Sequence, residues 1–438
     1  MVEAFAQRGL SRRRVAKLLG AAGIGLAASR AGLTSGAATT RPTIGSPEWR
    51  APAIIDRQQT VNLQWFMWSG SPAEVDAWKH IAGLVTQQHP NIQIEFVTAS
   101  WPDYWTKLPT EAAGGSLQDI ISLQSLRTAG FADLFQPLTP YVQKDKFDVD
   151  AFDSSIIGGL TWDNDLRALP YDFGPELIFF NKDMFKAAGV AEPKLDWTYD
   201  DFLEAAKALT KDGKYGFGAW PYPDSWLPFA LSEGATYLTA DGKLDLTNDS
   251  LVAAFTKYTA LVHEQQVAPQ IPSTKDTNYM QGQWLAGNVA MSVDGPWQMI
   301  NFKQQAKFSF GIVPVPKGSK GSVTISAGSG FGISKTTPHP DEVWQAISIL
   351  TGPEAEQYLA SAGRAFAARK DAQQYWYANA VEGSKEPLEA ALKSVIPYKV
   401  TPQWQQVSTL LLQYGIPAMN GQASPKDALA QVQAQAGG

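Results

Sequence analysis

No cysteine occurs in this chain of 438 residues. That excludes disulfides, thiolate metal sites, a cysteine nucleophile and a lipid-modified N-terminal cysteine. Histidine is nearly as scarce: His80, His89, His263 and His339 show no metal-ligand spacing, and "HEQQV" at His263 lacks the second histidine of a zinc helix. No Gly-x-Ser-x-Gly surrounds any serine, so the serine-hydrolase elbow is missing. "GSGFG" at 328–332 lacks the Lys-Ser/Thr of a phosphate loop. Asp163-Asn-Asp165 and Asp241-Gly242 read as turns rather than as metal loops. Charged residues make up only 18% of the chain, without the basic footprint that nucleic acid demands. No metal, cofactor or nucleic acid is expected.

What the chain has instead is aromatic rings, with Trp 15 and Tyr 14. A surface rich in rings and poor in charge suits an uncharged ring-bearing ligand; filling cores is the competing use of the same side chains.

The amino end reads as an export signal. "LSRRRVAKLL" puts Ser11-Arg12-Arg13 ahead of an apolar run from Leu18 to Ala28, and a small-residue stretch closes at Ala38. This is a twin-arginine arrangement whose apolar run is too short for a spanning helix. Removing residues 1–38 takes away six basic residues and one acidic one, leaving a net charge of −11. Residues 39–58, with proline, arginine and serine but no periodicity, read as a linker. The periplasm or cell envelope is the expected location, without a lipidated cysteine as tether.

From residue 59 onward, strand and helix patterns alternate: a strand within 60–70, a helix over 72–89, strands over 91–99 and 118–124, then a hairpin and a long strand over 161–181. That order predicts an α/β sheet with crossover helices. A long apolar strand is interrupted at Gly174-Pro175, and "VAMSVDGPW" (289–297) runs from a buried strand straight into a turn and an indole.

Six segments then arrive in order: "LPYDFGPELIFFNKDMFKAAGV" (169–190), "WTYDDFLEAAKALT" (197–210), "YGFGAW" (215–220), "QWLAGNVAMSVDGPW" (283–297), "GIVPVPKG" (311–318) and "AGSGFGISK" (327–335). As an ordered set they closely resemble the extracellular solute-binding proteins of family 1, the carbohydrate-binding subunits of ABC importers, over roughly 60–435. The resemblance implies an α/β fold of type II, with two lobes joined by crossing hinge segments and a ligand cleft between them. It also implies a carbohydrate ligand, permease subunits of an ABC importer as partners, a monomer, and no enzymatic activity. Crossings are expected near 172–176, near 293–297 and after Ser334. The first lobe would then hold about 59–172 and 298–338, and the second about 174–296 and 341–438.

The candidate ligand-binding residues follow from that frame. Trp68 and Gln124 stand at the carboxyl ends of strands, where open α/β sheets place ligands. Tyr171 and Asp172 precede the first crossing, Asp172 as a bidentate acceptor of hydroxyls. Trp220, Asp224 and Trp226 lie in "AWPYPDSWLPF", which reads as a ring-rich loop. Trp297 ends the second crossing, Gly328 and Ser329 allow close backbone approach, and Arg364 follows a helix. Each has a structural alternative: core packing for the tryptophans, a hinge cap for Asp172, turn geometry for Gly328, a surface salt bridge for Arg364. The expected function is capture of a sugar or small oligosaccharide for a permease. A polyol or glycerophosphodiester ligand held by Arg364, and a secreted glycoside-processing enzyme with paired carboxylates, are the alternatives.

Overall fold

The computed structural model describes residues 59–274 and 276–437; the export signal and linker expected over 1–58 lie outside them. Three parallel strands come first: β1 (Val61–Trp68), β2 (Ile92–Ala99) and β3 (Ile120–Gln124), with β1 in the middle. Parallel neighbours need long crossovers, and the helices Pro72–Gln88 and Trp101–Gly114 supply them. Both helices start where the sequence provides a cap. Ser71 Oγ accepts from the Glu74 amide and Ser100 Oγ from the Asp103 amide, each at 3.3 Å, with a proline in the first turn. The hairpin of β4 (Thr161–Trp162) and β5 (Asp165–Leu166) turns on Asp163 and Asn164, at φ 53° and 62°, a conformation that short amide and carboxyl side chains tolerate.

β6 (Leu169–Pro175) and β7 (Leu177–Asn181) are separated by Glu176 alone, yet they belong to different sheets. β7 pairs antiparallel with β8 (Met291–Asp294) and with β9 (Phe310–Val313), forming a three-stranded sheet. β6 pairs instead with β10 (Thr324–Ile333), which also pairs antiparallel with β3 and parallel with β11 (Val395–Pro397), completing a six-stranded sheet. Each sheet anchors one lobe. Gly174-Pro175 interrupts the strand because the chain changes sheets there.

β8 leaves the second sheet at Asp294, and the helix Met299–Gln305 packs against Pro72–Gln88 of the first lobe. The two passages touch: a Cβ on Gly174 would stand 2.3 Å from Pro296 Cγ.

The lobe boundaries drawn from the sequence need correction at two places. Residues 310–313 were grouped with the first lobe but form β9 of the second sheet, so a return to the first sheet falls between β9 and β10. After Ser334 the chain does not leave: the helices Pro340–Leu350 and Pro353–Ala362 pack on Pro72–Gln88, and β11 joins the first sheet. From the helix Trp404–Leu410 on, the chain packs with Pro425–Ala436 and Asp249–His263 of the second lobe. A fully buried strand such as "FGIV" suits either sheet, and its local pattern carries no record of its partner.

Candidate functional site

A cavity of about 380 Å³ opens between the lobes, lined from both of them. Four indoles line it, those of Trp68, Trp101, Trp220 and Trp297. Trp68, at the end of β1, stands edge-on to Trp101 with centroids 4.9 Å apart. Trp220 stacks on Tyr279 at 5.7 Å. Trp297 is half-buried, its Nε1 donating to Asp294 Oδ1 at 3.0 Å. Its ring folds so closely over Gly295 that a Cβ there would lie 2.1 Å from Cη2. The sequence Asp-Gly-Pro-Trp thus has a local logic: the strand ends, the glycine makes room, and the carboxylate fixes the indole against the cavity.

Charge is distributed unevenly around this wall. On the first-lobe side Arg364 is buried, with Nε 2.9 Å from Glu74 Oε1 and Nη1 3.3 Å from Asp172 Oδ2. Its Nη2 donates to the Tyr171 hydroxyl at 3.1 Å, and its guanidinium lies 4.6 Å from the Trp78 ring centre. Glu74 also accepts from the Gly70 amide, and Asp172 Oδ1 accepts from the Ser329 amide at 2.8 Å. Burial pushes the Asp172 carboxyl up to about 6, against the pull of Arg364.

On the other side stand Glu176, Asp224 and Asp294. Burial in the cleft pushes Asp294 up to about 7, with the Gly295 amide and the Trp297 indole pulling it back and Asp224 adding to the rise. Burial likewise pushes Asp224 up to about 6, with Arg127 and the Tyr398 hydroxyl, which donates at 3.1 Å, drawing it down. Glu176 is driven well above the carboxylate range by burial and then by Asp224 and Asp294. Its Oε1 has no hydrogen-bond partner. Arg127 sits behind this wall with its guanidinium 4.3 Å from the Trp105 ring centre and 4.8 Å from that of Trp101. It donates to Gln124 Oε1, to Tyr222 at 2.8 Å and to Gln405 Oε1 at 2.7 Å, tying the segment after β3 to the second lobe.

Of the candidates, Trp68, Gln124, Asp172, Trp220, Asp224, Trp297, Gly328, Ser329 and Arg364 line the cavity. Tyr171 and Trp226 do not. Tyr171 is wholly buried, stacked on Phe331 at 4.6 Å, and its hydroxyl serves Arg364. Trp226 packs on Phe255 at 4.7 Å because "PDSWLPFALS" is the helix Pro223–Ser232 rather than a loop. Pro223 occupies its first turn, where a missing N–H has no partner to lose. Arg364 is neither a free anchor nor a surface bridge, since two buried carboxylates hold it. Gly328 meets its need for glycine inside the sheet: a Cβ would stand 2.4 Å from the Asp172 carbonyl oxygen.

Glu74, Trp101, Glu176 and Asp294, absent from the candidates that the sequence offers, also line the cavity. Two of them carried a signal. Glu176 is a carboxylate inside an apolar run just after Gly-Pro, and Asp294 is one between a buried strand and Gly-Pro. Glu74 and Trp101 sit in the first turns of helices that follow strand carboxyl ends, a position only the sheet order makes meaningful.

The family of bacterial extracellular solute-binding proteins matches this chain over residues 69–357, well over half of its length. The chain belongs to that family. The fold of this solute-binding protein is the type II periplasmic arrangement. It superposes on an ABC substrate-binding protein of Listeria monocytogenes, solved in complex with cycloalternan, with TM-score 0.80 at 23% identity over 86% of this chain and 98% of that one. By sequence it is 22% identical over 341 residues to a putative binding protein of Brucella abortus, covering 74% of this chain and 80% of the relative. It is 23% identical over 252 residues to the lactose-binding protein of Rhizobium radiobacter, covering 53% of this chain and 60% of the relative. These relatives are binding proteins rather than enzymes. Among the described residues no helix is long and apolar enough to cross a membrane.

Proposed function

We propose that this solute-binding protein serves an ABC importer, capturing a sugar or small oligosaccharide outside the cytoplasm and delivering it to the membrane permease. The observation that carries the reading is the composition of the wall. Trp68, Trp220 and Trp297 set indoles against a cavity of about 380 Å³, and carboxylates and amides fill the space between them. Indole faces cover the C–H face of a pyranose while carboxylates accept from its hydroxyls. The volume falls in the range of small-molecule pockets, about 300–1,000 Å³. The relatives that bind lactose and cycloalternan support the saccharide class, and the twin-arginine segment supports export. A phosphorylated solute fits poorly, because Arg364 is already engaged by Glu74 and Asp172.

Isothermal titration against a panel of mono-, di- and oligosaccharides, with the solute assayed afterwards, tests the reading. One-to-one binding with the solute recovered intact is expected. Consumption of the solute would place the chain among glycoside-processing enzymes, and silence across the panel would overturn the sugar assignment.

A further inference from the structure

The charge inside the cleft does not balance. Glu74, Asp172, Glu176, Asp224 and Asp294 line the cavity, and among the described residues Arg364 is the one cation lining it. Arg364 is engaged by Glu74 and Asp172. Arg127 lies outside the lining, its donors directed to Gln124, Tyr222 and Gln405. Asp224 feels the charge of Arg127 and accepts from Tyr398, Asp294 accepts only from the neutral donors of Gly295 and Trp297, and Glu176 is 2% exposed with Oε1 unpartnered. A buried carboxylate without a counter-charge is costly, and burial accordingly holds protons on Glu176 and Asp294. A cation entering among them supplies the missing charge and releases those protons.

Glu176 is not alone in lacking a partner. Asn301 Oδ1, on a further buried residue of the same wall, is also unsatisfied. A metal does not supply the missing charge: among the described residues no three His, Asp or Glu side chains gather closely enough to hold one.

We propose that the solute carries a protonated amine, as an amino sugar or an oligosaccharide containing one, with the ammonium set among Glu176, Asp224 and Asp294 beside the Trp297 indole. The proposal rests on the sugar-binding reading above and sharpens it. An ammonium brings three N–H donors and a full positive charge, and charge-assisted bonds are about twice as strong as neutral ones. Asp294 also fixes the Trp297 ring, so the group that meets the amine is the one that orients the stacking surface. A hydroxyl at the same place offers one donor and no charge, and an acetamide adds bulk while removing the charge.

The test is calorimetric titration of wild-type protein, at neutral pH and low salt, with three matched sets. D-glucosamine, D-galactosamine and the glucosamine disaccharide from chitosan are each compared with their N-acetyl forms and with D-glucose, D-galactose and cellobiose. In at least one set the amine should bind about ten- to hundredfold more tightly than both counterparts. Glu176→Gln and Asp294→Asn should each bring that ratio down. Equal or tighter binding of the hydroxyl or acetamido form in every set that binds overturns the amine proposal and leaves the sugar reading standing. A ratio that survives in both variants overturns the placement. If no member of these sets and no neutral saccharide binds, the sugar reading falls and takes the proposal with it.

Discussion

Trp226 packs against Phe255 with 1% of its surface exposed, whereas Trp297 keeps part of its ring on the cavity wall. Trp297→Ala should therefore weaken sugar binding by about 1–3 kcal/mol, roughly five- to 150-fold, at unchanged stoichiometry. Its melting temperature should stay near that of the wild type. Trp226→Ala should do the reverse, removing about 3–5 kcal/mol of folding stability while each folded molecule keeps its affinity. Calorimetry and chemical denaturation on the same two variants separate these outcomes. The sequence placed both indoles at the ligand because prolines around Trp226 suggested a loop. Proline at a helix start reads the same way until the helix is seen. Trp297 was legible for a firmer reason, since Asp-Gly-Pro cannot extend a sheet and the next side chain has to leave it.

Arg364 works between elements. It joins the turn after Pro353–Ala362 to Glu74 on the first crossover helix and to Asp172 on β6. Arg364→Met leaves two buried carboxylates without their cation and should cost about 3–5 kcal/mol of stability. Adding Glu74→Gln and Asp172→Asn to that variant should recover most of the loss, and urea titration of the single and triple variants reads both effects. No local pattern announced this junction, because its three members are separated by most of the chain. The elements themselves were legible: helical spacing, alternating strands and the Gly-Pro break all announce themselves within a dozen residues. Their partners were not. Residues 310–313 and 340–350 went to the wrong lobe because pairing is decided by distant strands.

At the scale of the whole molecule, the cleft carboxylates couple stability to pH. Asp294 stands at about 7 and Asp224 at about 6 in the fold, against about 3.9 for an aspartate in an unfolded chain. The native state therefore holds these protons more tightly than the unfolded chain does. Their contribution is fully present below about pH 4 and is lost as the pH rises through about 6 to 7. Asp201, Glu233 and Asp371, whose carboxyls are lowered by hydrogen bonds from Thr198, Lys257 and Arg369 respectively, act in the other direction as the pH falls. The difference between wild type and Asp294→Asn isolates the cleft. Without solute, the wild type should lose melting temperature relative to the variant between about pH 4 and 7, and a constant difference would refute the assignment.

With Gly174 set against Pro296, we expect these two passages to act as a bearing rather than as a pair of straps. Straps allow two bodies to slide, shear and twist; a bearing leaves one angle free and resists the rest. With 2.3 Å between Pro296 Cγ and the place a methyl would occupy, Gly174→Ala drives a wedge into that pivot without touching the solute. Small-angle scattering should show the wild type contract when sugar is added and this variant contract less or not at all; an undiminished contraction in the variant would show that the pivot lies elsewhere. A partner that senses closure of such a joint has a single angle to read.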